Sequence, residues 1–136
     1  MSANTLDDVR SYLVGLGVVE GATGWACYCG YMPDDQDRTV GLFESPGLPQ
    51  DTMARENLRP KLLFHLRGAR FGYAEARSKW QDIWDALQDA QASSGSPAYL
   101  SGYIYIQAEQ SAPLCFNDAN NRPNMTANFQ VLKERV

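Results

Sequence analysis

The sequence predicts one α+β domain over residues 1–136, a mostly antiparallel sheet of about five strands with two helices packed on one face. Three observations predict it. In Lys61 to Arg67, Leu62, Phe64 and Leu66 alternate with Leu63, His65 and Arg67, the period of two that puts successive side chains on opposite faces of a strand. From Phe71 the spacing becomes helical: Ala76, Trp80, Ile83, Trp84 and Leu87 form one apolar stripe, with Glu75, Lys79, Asp82, Asp85 and Asp89 largely off it. The elements follow in the order helix, strand, strand, long loop, strand, helix, strand, loop, strand. Strands joined only by loops favour antiparallel neighbours.

Asn4 or Thr5 can cap the first helix, with Asp7 and Asp8 in its first turn and Leu6, Val9, Leu13 and Leu16 as its seam. Gly15 and Gly17 stop it, so Gly15-Leu16-Gly17 reads as a helix C-cap and not as a nucleotide loop. Trp25 to Tyr31 and Arg38 to Glu44 read as strands, with Cys27 and Cys29 on one face of the first. Ser45 to Arg59 is a long loop with no clean period, and loops of this length are often functional. In the central strand and helix, Gly68 is placed to supply the positive φ of a sharp turn, and Trp80 and Trp84 anchor the helix, since each aromatic buries about 150–250 Å². Leu100 to Ala108 alternates Ile104 and Ile106 against Tyr103, Tyr105 and Gln107. A second loop, Glu109 to Asn124, is followed by the closing strand Met125 to Leu132. Its Thr126, Asn128 and Gln130 share a polar face, which predicts a sheet with one side on the helices and one side toward water or a partner. Tyr99, Tyr103 and Tyr105 are placed either to extend that outer face or to cover the sheet.

A chain of 136 residues can build a core without disulfides or metal. Its formal charge of −4 argues against general nucleic-acid binding, which needs a basic surface. No apolar run approaches the roughly 18 residues of a membrane span, and no signal segment opens the sequence, so a cytoplasmic protein without membrane contact is expected. Three cysteines fit reduced thiols.

No segment carries a strong catalytic signal. A zinc site would need Cys27, Cys29, Cys115 and His65 to converge, without the usual C-x-x-C spacing. A Cys–His nucleophile pair would need His65 to leave its strand. Asp34, Asp35 and Asp37 lack the spacing of a calcium loop and read as a solvated turn. Asn120, Asn121, Arg122 and Pro123 suit either a recognition tip or an ordinary hairpin turn.

Several segments together resemble a family. They are Leu-Phe-Glu-Ser-Pro-Gly-Leu-Pro (Leu42 to Pro49), the strand ending in Arg67-Gly68, the helix start Tyr73-Ala74-Glu75-Ala76, and Asn128-Phe129 followed by Arg135. Their order over Arg38 to Arg135, after a short N-terminal helix, resembles bacteriophage minor capsid proteins of the tail-terminator or tail-completion type. Gly17 to Asp35 departs from the pattern. The resemblance implies a structural protein and not an enzyme, with no catalytic residue, cofactor or metal. It implies a homo-oligomeric, hexameric ring on the head-proximal end of the tail in the virion, assembled in the host cytoplasm. The partners it implies are the major tail tube protein and a head-completion or connector protein, with DNA only passing through the lumen. On that reading the interface candidates are Arg55, Glu56 and Arg59 in the first loop, Arg122 in the second, and Asn128 and Gln130 on the last strand. Two alternatives stay open: another head–tail connector component, such as a head-closure or tail-tube protein, and a small thiol- or metal-dependent enzyme using Cys27, Cys29 and His65.

Overall fold

The computed structural model describes residues 5–45, 57–58, 60–88 and 103–134. The elements are α1 (Thr5–Gly15), a 3-10 turn (Gly21–Thr23), β1 (Ala26–Cys29), β2 (Thr39–Ser45), β3 (Asn57–Leu58), β4 (Lys61–Arg67), α2 (Tyr73–Gln88), β5 (Tyr103–Ala108), β6 (Leu114–Asn117) and β7 (Pro123–Glu134). Among the described residues no helix is long and apolar enough to cross a membrane.

The α+β class holds, with two helices on one face of a mostly antiparallel sheet. β7 is its centre. On one side β7 pairs antiparallel with β4, from Lys61 opposite Gln130 to Arg67 opposite Asn124, and with β3. On the other side it pairs with β6 near its start and β5 toward its end. β2 pairs antiparallel with β4, and β1 forms the far edge. Among the described residues the sheet therefore has seven strands where about five are predicted. The additional ones, β3 and β6, are 2 and 4 residues long and fall in segments read as loops. Pro60 explains the break between β3 and β4: it has no N–H to donate, and the ladder passes through its carbonyl, which accepts from the Val131 N–H at 3.1 Å.

One pairing departs from the antiparallel expectation. β1 runs parallel to β2, from Ala26 opposite Thr39 to Cys29 opposite Leu42. Parallel neighbours usually need a crossover of about a dozen residues or more; here residues 30–38 suffice. This connection returns across the helix-free face of the sheet, where the Arg67 guanidinium holds it. Arg67 donates to the Gln36 carbonyl through Nε (3.1 Å) and Nη2 (2.7 Å), and also to the Pro33 carbonyl. The Thr39 hydroxyl adds a bond to the Gln36 carbonyl at 3.0 Å, and the Tyr28 hydroxyl one to the Gln36 side chain at 2.6 Å.

The core lies between the sheet and both helices. Leu62, Phe64 and Leu66 of β4, Val40 and Leu42 of β2, and Met125, Ala127, Phe129 and Val131 of β7 meet Ala76, Trp80, Ile83 and Leu87 of α2 and Val9 and Leu13 of α1. The Phe64 ring centroid stands 6.0 Å from both Trp80 and Phe129. The helices are tied to each other by the Tyr12 hydroxyl, which donates to the Ala86 carbonyl at 2.8 Å. α1 ends as its glycines predict: Gly17 takes φ 73°, Val18 N–H reaches the Leu13 carbonyl and Gly17 N–H the Val14 carbonyl, the paired bonds of a Schellman cap.

Gly68 serves another purpose than the one predicted. The positive φ of this turn falls on Phe71, at 59°. Gly68 is required by proximity, because a Cβ there would lie 2.9 Å from the Ala76 Cβ and 3.1 Å from the Pro123 ring. The glycine lets α2 start directly against the sheet. Tyr103 also differs from the simple alternation. An irregularity in register between Tyr103 and Tyr105 shifts the pattern, so that Tyr103 joins Ile106 in the core and its hydroxyl donates to the Asp8 carboxylate at 2.8 Å. Burial, followed by that bond, raises the pKa of this phenol. Tyr99 lies outside the described residues.

Candidate interaction surfaces

The helix-free face carries the side chains that alternate with the core. Across it, Gly41, His65, Thr126 and Leu114 form one row, with Thr39, Arg67, Asn124 and Phe116 beside it. Phe43, Leu63 and Asn128 form a third row, and Lys61 and Gln130 a fourth pair. The end holding Arg67 is covered by the connection from β1. Apart from buried Gly41, the rest of the face is half-buried or exposed, mixing aromatic, aliphatic and amide groups with little charge. His65 belongs here: its Nε2 lies 2.8 Å from the Asn124 Oδ1, and its ring stands edge-on to Phe116 at 6.0 Å.

Two polar fixtures organise this face. Between β5 and β6 the ladder beside β7 is completed by a side chain, because Gln110 accepts the Asn128 N–H through Oε1 at 3.2 Å and donates Nε2 to the Thr126 carbonyl at 3.3 Å. The Gln110 carbonyl in turn accepts the Trp84 indole N–H at 2.8 Å. The second fixture is the turn before β7. Asp118 accepts the N–H groups of Asn120 and Arg122 at 2.9 and 3.0 Å, and the Arg122 Nε at 2.9 Å. The backbone bonds to Arg122 and Asn120 and the Arg122 guanidinium hold the Asp118 carboxyl below the usual carboxylate range, against some desolvation.

The interface candidates separate on this map. Arg55, Glu56 and Arg59 lie outside the described residues. Arg122 is only 8% exposed and engages Asp118, with Asp37 at 3.5 Å. The Asn120 to Pro123 segment is thus a hairpin turn closed on itself. Asn128 and Gln130 share the helix-free face, half-buried, and Gln130 reaches toward Glu109, which pairs with Lys61 at 3.1 Å. What the residue patterns did not reveal is the exposure of Leu114 and Phe116 on β6. The signal was a four-residue alternation inside a segment dominated by turn formers.

The thiols do not converge with the histidine. Cys27 and Cys29 stand opposite Val40 and Leu42, on the helix side, whereas His65 faces the other way, so the sheet lies between them. Among the described residues no group of three His, Cys, Asp or Glu side chains could hold a metal ion. Burial, with smaller contributions from Cys29 and Glu20 that outweigh the opposing Arg10, pushes the Cys27 thiol up to about 12. Burial followed by Asp7 raises Cys29 as well. Because the thiolate is the nucleophile, iodoacetamide at pH 8 should modify exposed Cys115 first and Cys27 only after unfolding. Peptide mass spectrometry over time checks this order, and equal labelling of Cys27 and Cys115 in the folded protein would refute it.

A family model described as bacteriophage tail terminator protein matches residues 12–135, which takes in every strand and both helices but for the first turns of α1. The chain belongs to the bacteriophage tail terminator family. The chain is also similar to parts of two curated proteins. One is a tRNA (guanine-N(7)-)-methyltransferase of Xanthomonas campestris pv. campestris (strain 8004), 34% identical over 76 residues, which are 56% of this chain and 26% of that protein. The other is the protein of that name from Xanthomonas axonopodis pv. citri (strain 306), 32% identical over 80 residues, 59% of this chain and 27% of that protein. The chain spans about a quarter of the length of these relatives. The tail-terminator match covers nearly the whole chain and joins it to the tail proteins of the virion.

Proposed function

We propose that this tail terminator forms a ring, a hexamer, on the head-proximal end of the tail tube. The ring ends tube polymerisation and offers the surface on which the head is joined. The observation that supports this reading is the helix-free sheet face, a broad, weakly charged surface of Phe43, Leu63, His65, Thr126, Asn128 and Gln130 with both helices packed behind it. A ring requires a head-to-tail contact that closes on itself. In the proposed arrangement Asn128 and Gln130 contribute to that contact, and Arg55, Glu56 and Arg59 meet the tail tube protein or the head connector. The protein acts through these contacts and performs no catalysis, and it is assembled in the host cytoplasm. DNA only passes the lumen, where a net charge of −4 lets it slide and not adhere.

The test combines light scattering with electron microscopy of tails assembled with and without the protein. Rings should cap one end of each tube, and tube length should become uniform. Asn128→Arg with Gln130→Arg should abolish rings while far-UV circular dichroism stays unchanged. A protein that remains monomeric with and without tail tube protein, and leaves tube length unregulated, would overturn the reading. A head-closure protein would instead leave tube length unaffected and alter only head joining.

A further inference from the structure

The two outer edges of the sheet are treated differently. At β1, the Cys27 N–H donates to the Glu20 Oε1 at 2.8 Å, and the Cys27 carbonyl accepts from the Arg10 Nε at 3.0 Å. Arg10 and Glu20 also pair with each other at 3.1 Å. An ion pair thus occupies the hydrogen-bonding groups that another strand would use, a charged defence common on sheet edges. Among the described residues β6 has no such defence. Its residues Leu-Cys-Phe-Asn carry no charge, and Leu114 and Phe116 are 67% and 48% exposed.

The register decides which β6 groups are available. In β7, Pro123 and Val131 bond toward the β4 side, through Gly68 N–H to the Pro123 carbonyl and Val131 N–H to the Pro60 carbonyl. Arg122 and Asn128 bond toward the β5 and β6 side, through Asp118 N–H and Glu109 N–H. Even-numbered β7 residues therefore face β6. Leu114 and Phe116 stand opposite Thr126 and Asn124, so their backbone groups belong to the ladder. The N–H and C=O of Cys115 and Asn117 point away from it. Among the described residues no strand pairs with them.

The geometry points to β6 as a contact between two copies of this chain, paired antiparallel about a two-fold axis at Phe116. The outward groups of Cys115 and Asn117 flank Phe116 symmetrically, so a second β6 matches them without a change of register. Cys115 exchanges both backbone bonds with Asn117 of the other copy, and Asn117 with its Cys115. Phe116 meets its own counterpart as a close cross-strand aromatic pair. β1 of a second copy does not fit this edge, because Arg10 and Glu20 already occupy Cys27. The contact is isologous and complete at two copies. It is therefore separate from the head-to-tail contact of a ring and goes beyond that reading. A four-residue strand buries far less than the roughly 1,200–2,000 Å² of a stable interface, so the pair forms at high concentration and dissociates on dilution.

The experiment introduces a second thiol with Asn117→Cys in the full chain. Residues in a hydrogen-bonded antiparallel pair have Cα atoms about 5.5 Å apart, within the roughly 4.4–6.8 Å that a disulfide spans. Mild oxidation of concentrated protein, without tail tube protein, should give a disulfide-linked dimer on a non-reducing gel. The same treatment should give none with the natural sequence, whose Cys115 thiols are diagonal, or with Cys115→Ser plus Asn117→Cys. The yield should fall more than tenfold when Phe116→Lys is added, with circular dichroism confirming the fold. Phe116→Ser serves as the milder variant should the lysine variant unfold. The proposal is overturned if Asn117→Cys stays monomeric, or if dimer forms equally without Cys115 or with either Phe116 variant. Loss of the ring on tail tubes with this cross-link intact would refute the ring alone.

Discussion

Replacing Trp80 by alanine is expected to remove about 3–5 kcal/mol of stability, a large part of the roughly 5–15 kcal/mol available to a domain. Trp80 is fully buried, packs on Phe64 at 6.0 Å and stacks with Trp84 at 6.4 Å. The Arg77 guanidinium lies 4.8 Å from its ring centroid. Its indole N–H also donates to the Thr126 carbonyl at 3.3 Å, linking α2 to β7 through the core. Alanine leaves a cavity that α2 cannot close, because Gly68 already lets the start of the helix approach the sheet to contact distance. In urea, with a slope of about 1–3 kcal/mol/M, the midpoint should fall by about 2 M. Trp80→Phe should retain most of the stability, since the Thr126 carbonyl keeps its bond from Gln110. An alanine variant within about 1 kcal/mol of the parent would show that the core is not organised around this ring.

Arg67→Met should destabilise by about 1.5–3 kcal/mol, the range for hydrogen bonds to a charged group. Its effect should be concentrated at one edge. Arg67 is 6% exposed, and burial followed by the neighbouring Arg122 lowers its pKa. Methionine fills much of the volume but leaves the Pro33 carbonyl without this donor and the Gln36 carbonyl with only the Thr39 hydroxyl. The parallel pairing of β1 depends on that connection. Hydrogen exchange should accelerate at the Ala26 and Gly30 amides, which bond to Arg38 and Leu42, while the Val131 amide stays protected. Uniform acceleration at all three amides would mean that Arg67 acts on global stability alone.

The parts of the fold legible in the sequence are those whose signal is local. β4 lies where Leu62, Phe64 and Leu66 alternate, and α2 buries Ala76, Trp80, Ile83 and Leu87 as their spacing predicts. The parallel β1–β2 pair was not legible, because its cause is an arginine in β4 gripping carbonyls more than thirty residues earlier. Simple alternation sets Tyr103 opposite in face to Ile106, and a register irregularity against β7 overrides it for a similar reason. Of the candidate surface, the polar stripe of Thr126, Asn128 and Gln130 was visible as a period of two. The inward commitment of Arg122 was not, because Asp118 competes for it within the same turn. The family resemblance came from ordered short motifs, and the match over residues 12–135 bears it out.

The central position of β7 also dictates when the protein can fold. β3, β4, β5 and β6 all pair with this one strand, and it is made after every one of them. While the ribosome is still short of residue 123, the nascent chain can form α1, α2 and the β2–β4 ladder, but Phe64 and Trp80 have no Phe129 to close on. Long-range pairing of this kind slows folding. The ladders of β3, β4, β5 and β6 therefore close only once β7 is available to pair with them.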